Sequence, residues 1–395
     1  MNDELLTIRR YLHAHPELSF EEEKTAVYIS QLLTSWGIEH QTNVAGNGIT
    51  GLIRGRNPDK ITLALRADMD ALPLQEENDV PYRSLNQNIM HACGHDVHTT
   101  CLLGTVRLLH AYRSGFEGSV KFLFQPAEEK LPGGALKMIE AGVLENPRPD
   151  YILGQHVFPE LETGKAGFRK GSYMASSDEI HLIISGKGGH AALTGTYDNT
   201  VLAAAELVTE LQKHLSKDNS SVLAFGKFIA NGAYNVIPSE VTVQGTLRTF
   251  DEGRRIDIHH FIQKTAQSVS ARHHTLCRVL INKGYPVLVN HRKATEIARQ
   301  AAIEYLGKEN VVELTRRMTA EDFARYGQVV PACFYRLGTA NRKKGITAGL
   351  HTSHFDVDEN SIAVGTGLLL WITLKTLRLA KKNMNKNQLQ KNDSK

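Results

Sequence analysis

"ITLALRADMD" (61–70) is a run of leucine, alanine and β-branched residues that ends in two acids. Two other runs have the same form. "SVKFLFQPAEE" (119–129) ends in Glu128 and Glu129, and "YILGQH" (151–156) ends in His156. Short continuous apolar runs of this kind read as strands covered on both faces, and helical patterns lie between them. Val97, Cys101, Gly104 and Leu108 are spaced for one helix face. Strands buried on both faces and alternating with helices imply a parallel sheet. In such sheets ligands gather at the carboxyl ends of the strands, and Asp68, Asp70, Glu128, Glu129 and His156 all fall at that edge. The fold class is therefore α/β, with a mostly parallel sheet.

Outward from these strands the pattern changes twice. Before them, a first helix is followed by "LSFEEEKTAVYISQLLTSWG", in which Ser19 and Glu22 have capping-box spacing and Gly37 closes the helix. Near residue 172 the alternation gives way to strand-helix-strand-strand-helix-strand, from "DEIHLIISGKGGH" to "TLCRVLINKG". That order is the split ferredoxin-like arrangement, read as an α+β domain of residues 172–285 inserted into the first. Residues 1–171 and 286–380 then form one discontinuous domain, and 381–395 a basic, disordered tail.

Composition narrows the class. A chain of 395 residues with 41% hydrophobic and 22% charged residues is a soluble globular protein of about two domains. The net charge of +4 is matched by the last sixteen residues alone, which carry five lysines and one aspartate. The body is close to neutral, which removes the electrostatic argument for nucleic-acid binding. Four cysteines without C-x-x-C pairing fit a reducing compartment, and the expected location is cytoplasmic. The run "IAVGTGLLLWITL" covers 13 residues against the ~20 of a membrane span, and reads as a buried helix.

"MHACGHDVHT" (90–99) crowds three histidines, a cysteine and an aspartate together. Metal binding, a nucleophilic Cys93 and a decorative loop are all compatible with it in isolation. The pair Glu128 and Glu129 is commonly an exposed acidic turn, but after a buried strand it suits two jobs, one metal ligand and one general base. His156, His351 and His354 each have a bland reading as core or surface histidines. A glycosidase using Asp68 and Glu128 without metal, a cysteine hydrolase and a non-catalytic binding protein are the other classes open to these residues.

Eight segments in order, "RRYLHAHPELSFEE", "LRADMDALP", "MHACGHDVHT", "LFQPAEE", "GGHAA", "NVIP", "TAEDFARY" and "GLHTSHFDVDE", resemble the aminoacylase, hippurate hydrolase and indole-acetyl-amino-acid hydrolase branch of the dinuclear metallopeptidases. The resemblance runs from about residue 4 to 375. It implies two divalent metal ions per chain, zinc or else manganese, cobalt or nickel, held by Cys93, His95, Glu129, His156 and His351. It implies Glu128 as general base and acid, and Asp70 as the carboxylate that orients a ligand imidazole. His190 of "GGHAA" and Asn235 of "NVIP" match residues that reach the active site of a partner subunit, at the oxyanion and at the substrate. The implied protein is a homodimer, with the inserted domain as its dimerisation and lid domain. The implied reaction is hydrolysis of the amide of an N-acyl-L-amino acid, such as an N-acetyl, hippurate-like or N-acetyl-diaminopimelate-like substrate, with a dipeptidase or aminopeptidase-like activity as the alternative. No nucleic-acid or membrane partner is expected. Val97, "LTGTYDNT" (193–200) and His354 depart from the family's usual residues. None of them is an implied ligand.

Overall fold

The computed structural model describes residues 1–215 and 220–392, with side chains as far as Arg378. It has two compact units. The first comprises Met1–Gly171, Val289–Thr315 and Asp322–Lys395, and the second Ser172–Leu288 with Arg316–Glu321.

The first unit is built on an eight-stranded sheet. Strands Ser119–Gln125, Thr62–Asp68, Tyr151–Glu162 and Ala332–Ala340 lie side by side and parallel at its centre. Antiparallel strands extend it on both sides, His40–Val44 and Gly48–Arg54 beyond one edge and Ala166–Phe168 beyond the other. Every residue of 62–68 and 119–125 is buried, as expected of strands covered on both faces. One strand differs from its sequence reading. The run that begins at Tyr151 continues past His156 to Glu162, because Val157 and Phe158 prolong the pairing with Leu337 and Gly338. His156 still sits level with the others. Arg66 pairs with Gly154, so His156 lies beside Asp68, where the neighbouring strand stops.

Helices His95–Ala111, Arg292–Leu306 and Asn360–Asn392 pack together on the sheet. Leu102, Leu103, Ala298, Ala302, Leu368 and Ile372 are fully buried in this layer, and each buried Leu or Ile contributes roughly 1.5–3 kcal/mol. The apolar part of the last helix, Asn360–Arg378, is longer than the 13-residue run in the sequence. It is long and apolar enough to cross a bilayer, yet 56% of it is buried inside this fold, as in a core helix. The expected disordered tail begins as a continuation of that helix to Asn392, since no Gly or Pro interrupts 381–392. Residues 393–395 lie outside the described residues.

The second unit holds a four-stranded antiparallel sheet of Ser221–Ala230, Glu240–Thr249, Asp178–Ser185 and Leu276–Lys283, in that order. With its strands numbered along the chain the order is 2-3-1-4, the split ferredoxin-like arrangement. Helices Thr200–Leu215 and Glu252–Arg272 join its strands, and their apolar stripes, including Leu207, Leu211, Ile258 and Ile262, bury one face of the sheet. Arg316–Glu321 groups with this unit because Ala175 N donates to Arg317 O and Arg317 N to Tyr173 O.

The capping box expected at Ser19 and Glu22 is not formed. The helix runs from Glu23 to Ser35 with Glu22 as its N-cap residue, whose side chain makes no capping bond; Glu17 instead accepts from Lys24 N at 3.2 Å and Thr25 N at 2.8 Å. Ser19 Oγ instead donates to Asp70 at 2.6 Å. A buried, charged acceptor is a stronger partner for the hydroxyl than the first helical amides.

Candidate metal centre

Three sheet-edge segments and one loop meet in the first unit. Cys93 precedes Gly94, which has φ +79 and opens the helix His95–Ala111. A Cβ at Gly94 would stand 2.5 Å from Val157 Cγ2, so only glycine lets this turn press against the strand that carries His156. Glu128 and Glu129 follow the strand end at Gln125, and His351 comes from the loop before the last helix. His351 itself has φ +60, a left-handed conformation unusual for its residue type. Its amide is held by Ala92 O at 2.9 Å.

The side chains converge in two groups that share one sulfur. Cys93, His95 and His156 form one, and Cys93, Glu129 and His351 the other, each with ligand atoms within 4.8 Å of one another. Cys93 Sγ lies 3.5 Å from His156 Nε2 and 3.3 Å from His351 Nε2. Glu129 Oε1 lies 3.3 Å from His351 Nε2 and 3.8 Å from His95 Nε2. His95 Nε2 and Glu129 Oε1 are buried with no hydrogen-bond partner. Buried polar atoms without hydrogen bonds are rare and costly, and here two of them face each other across a 3.8 Å gap. The donor set of thiolate, imidazole and carboxylate suits a divalent ion of the zinc type, so the residues present fit a metal pair.

The surrounding residues set the tautomers. Asp70 Oδ1 lies 3.2 Å from His95 Nδ1, and His156 Nδ1 donates to Val157 O at 2.8 Å, which leaves Nε2 of both rings for a ligand role. His98 bridges a helix and a strand. Its Nε2 accepts from Val157 N at 2.8 Å, so its Nδ1 carries the proton that Asp68 Oδ1 accepts at 2.6 Å. Asp68 Oδ2 accepts from Arg66 at 2.5 Å. Asp68 is thereby engaged on both oxygens, which weakens its reading as half of a glycosidase pair.

Electrostatics agree with a cation site. Hydrogen bonding to Cys93 and then to Glu129 raises the pKa of His351 to about 10. Burial disfavours a charged His95, but Asp68, Cys93 and Asp70 outweigh it and hold its pKa above the ordinary value. Burial, followed by the charge of Arg336, holds His156 neutral. Burial and then Glu129 push the Cys93 thiol up, the opposite of what a free nucleophilic thiolate needs. Protons stand in this cluster where a divalent ion can replace them.

Glu128 is buried beside this cluster, grouped with His95 and Glu129. Its Oε1 accepts from Asp322 N at 3.2 Å. In the second unit, Gly189–His190 pairs with Val236–Ile237 in a two-stranded ribbon. Ala191 N donates to Asn235 O at 2.9 Å, so His190 and Asn235, distant in sequence, sit together, both exposed. His354 is exposed beside Ser353 and Glu77. Sequence reasoning gave no role to His98, Arg66 or Asp322, although all three stand inside the quoted segments, and read Ser19 and Glu22 as a helix cap. Paired side-chain partners so far apart in the chain leave no local periodicity to read.

The family model for peptidase family M20/M25/M40 matches residues 64–374. An N-acyl-L-amino acid amidohydrolase of Geobacillus stearothermophilus is 39% identical over 292 residues, 73% of this chain and 78% of that protein. An IAA-amino acid hydrolase of Arabidopsis thaliana is 37% identical over 375 residues, 93% of this chain and 84% of that protein. A crystal structure of a Bacillus subtilis dinuclear metal-binding peptidase of the M20 family superposes with a TM-score of 0.84 at 32% identity, covering 95% of this chain and 98% of that one.

Proposed function

This chain belongs to peptidase family M20/M25/M40, and from that premise we propose that it hydrolyses the amide bond of N-acyl-L-amino acids with two divalent metal ions. It is a metal-dependent hydrolase acting on amides. The observation that carries the reading is the pair of buried groups sharing Cys93, with His95 Nε2 and Glu129 Oε1 left without a hydrogen bond between them. Cys93, His95, His156, Glu129 and His351 are the proposed ligands. When bound, the ions polarise the scissile carbonyl and lower the pKa of water toward neutrality.

The chain's own residues do the rest. Glu128 takes a proton from the attacking water and returns it to the leaving amine. The Asp322 amide, donating to Glu128 Oε1, fixes the direction of that carboxylate. Asp70 holds His95 in the tautomer that presents Nε2. His190 and Asn235, carried on one ribbon, serve the oxyanion and the substrate, in our reading within the site of a second copy. The strands Ser221–Ala230 and Leu276–Lys283 are the outer edges of their sheet, and Phe228 and Leu276 are exposed on them. Such edges pair readily, which supports a two-fold homodimer. The four cysteines are unbonded, in keeping with a reducing compartment.

The test is hydrolysis of N-acetyl, N-benzoyl and N-acetyl-diaminopimelate substrates before and after chelation. Activity on at least one class, lost on chelation and restored by zinc, manganese, cobalt or nickel, is expected. Full activity after complete metal removal would sink the reading.

A further inference from the structure

Three successive backbone amides in the first unit each donate to a buried carboxylate. Ala127 N donates to Glu22 Oε1 at 2.7 Å, Glu128 N to Asp70 Oδ1 at 3.0 Å and Glu129 N to Asp70 Oδ2 at 3.0 Å. Ala127 has φ +53, a left-handed conformation that alanine adopts only where its surroundings impose it. Its carbonyl is tied as well, accepting from Gly134 N at 2.8 Å. The segment bearing the base and a metal ligand is therefore pinned through its main chain before either side chain begins.

Glu22 is an unexpected partner for this segment. It follows Glu21 and precedes Glu23 in a plain acidic run, yet it is fully buried. It occupies the N-cap position of its helix but makes no side-chain capping bond to it. Its donors are the Ala127 amide, the Phe20 amide at 3.0 Å and the Asn47 side-chain amide at 3.2 Å, and none of these is a cation. A buried carboxylate served only by neutral N–H groups, with Asp70 facing the same segment, is costly. Helix capping does not account for it, and the amide that it accepts belongs to the residue just before Glu128.

We propose that Glu22 is a positioning residue of the hydrolytic reaction, holding the Ala127 N–H so that the strained turn aims Glu128. The inference rests on the reading of Glu128 as the base. The cradle divides the labour between its two carboxylates. Asp70 takes the Glu128 and Glu129 amides and His95, and so bears on metal retention, whereas within this segment Glu22 takes only the amide ahead of Glu128. Misplacing a reacting group by about 1 Å costs on the order of a hundredfold in rate, so a small relaxation of this turn is enough.

The test compares Glu22→Ala, Glu22→Gln and Asp70→Ala in the metal-loaded full chain, with kcat and KM per folded molecule and metal content by elemental analysis. Glu22→Ala is expected to lose roughly tenfold or more in kcat with KM within about twofold, and to keep its metal. Glu22→Gln retains an acceptor oxygen for Ala127 N, and its kcat is expected to return to within about threefold of the parent. Asp70→Ala is expected to lose metal. If Glu22→Ala is too unstable to purify, Glu22→Asp, whose shorter side chain draws the acceptor away from Ala127 N, is read on the same scale. An unchanged kcat in the shortened variant overturns the proposal, because a residue that only supports the fold would lower the melting temperature and leave turnover per folded molecule intact. Glu22→Gln as impaired as Glu22→Ala, or metal lost in step with activity, also overturns it. Glu128→Gln, measured alongside, tells the two readings apart: turnover surviving in that variant removes the base assignment, whatever the Glu22 variants do.

Discussion

The amide of Asp322 donates a 3.2 Å hydrogen bond to Glu128 Oε1 across 194 residues of sequence. The Asp322 carboxylate is itself fixed by Arg66 at 2.7 Å, by Gln125 Nε2 and by the Ala135 amide at 2.9 Å. A carboxylate that accepts from a fixed main-chain amide is held in its direction. Glu129, next in sequence, instead turns its Oε1 toward His95 and His351. Two adjacent glutamates thus face different partners.

Glu128→Gln is expected to lower turnover by on the order of a hundredfold or more while metal content stays near that of the parent. Glu129→Gln is expected to release metal. Elemental analysis beside initial rates checks both, and equal metal loss in the two variants would reverse the assignment within the pair.

Two metal ions per chain are expected, because five ligand candidates in two groups exceed one tetrahedral site. Titrating metal into chelated protein while following activity and bound metal measures the stoichiometry. A fully active enzyme with one tightly held ion would contradict the dinuclear reading.

Mixing His190→Ala with Glu128→Gln is expected to regenerate activity if His190 works in the site of a second copy. A mixed dimer then has one site with both lesions and one with neither. Subunit exchange is followed by native mass spectrometry. Exchange without recovered activity refutes the cross-subunit role and leaves the metal chemistry untouched.

Acid stability of the second unit is expected to depend on Asp178. This buried carboxylate accepts from Arg255, from His259 at 2.7 Å and from Gly284 N at 3.1 Å. Burial works against its charge, but the hydrogen bonds of Arg255 and His259 prevail and lower its pKa to about 2. Its folded pKa is depressed, so its contribution is complete above the unfolded value of roughly 3.9 and disappears as pH falls through about 2. Asp178→Asn is expected to cost roughly 2–3 kcal/mol at pH 7, with the gap to the parent closing below about pH 3. Urea unfolding at both pH values measures this, and a gap independent of pH would rule it out.

Much of this protein is legible in one dimension. Continuous apolar runs such as 62–68 and 119–125 specify buried parallel strands, because a strand covered on both faces has no polar alternation to show. The acids and His156 at or beyond their ends mark the sheet edge for the same reason. The strand-helix-strand-strand-helix-strand order of the second unit is equally local. Tertiary structure alone decided which of these groups meet. That Ser19 and Glu22 abandon the helix they precede for Asp70 and Ala127 follows from an energy comparison between near and distant partners. The near pairing is visible as spacing, but the distant one exists only once the sheet has brought residues 70 and 127 within reach. His98 bridging Asp68 to Val157 and Asp322 holding Glu128 have the same origin. Periodicity reports which face of an element is buried; the partner that a buried polar group finds there depends on the packing of elements far apart in the chain.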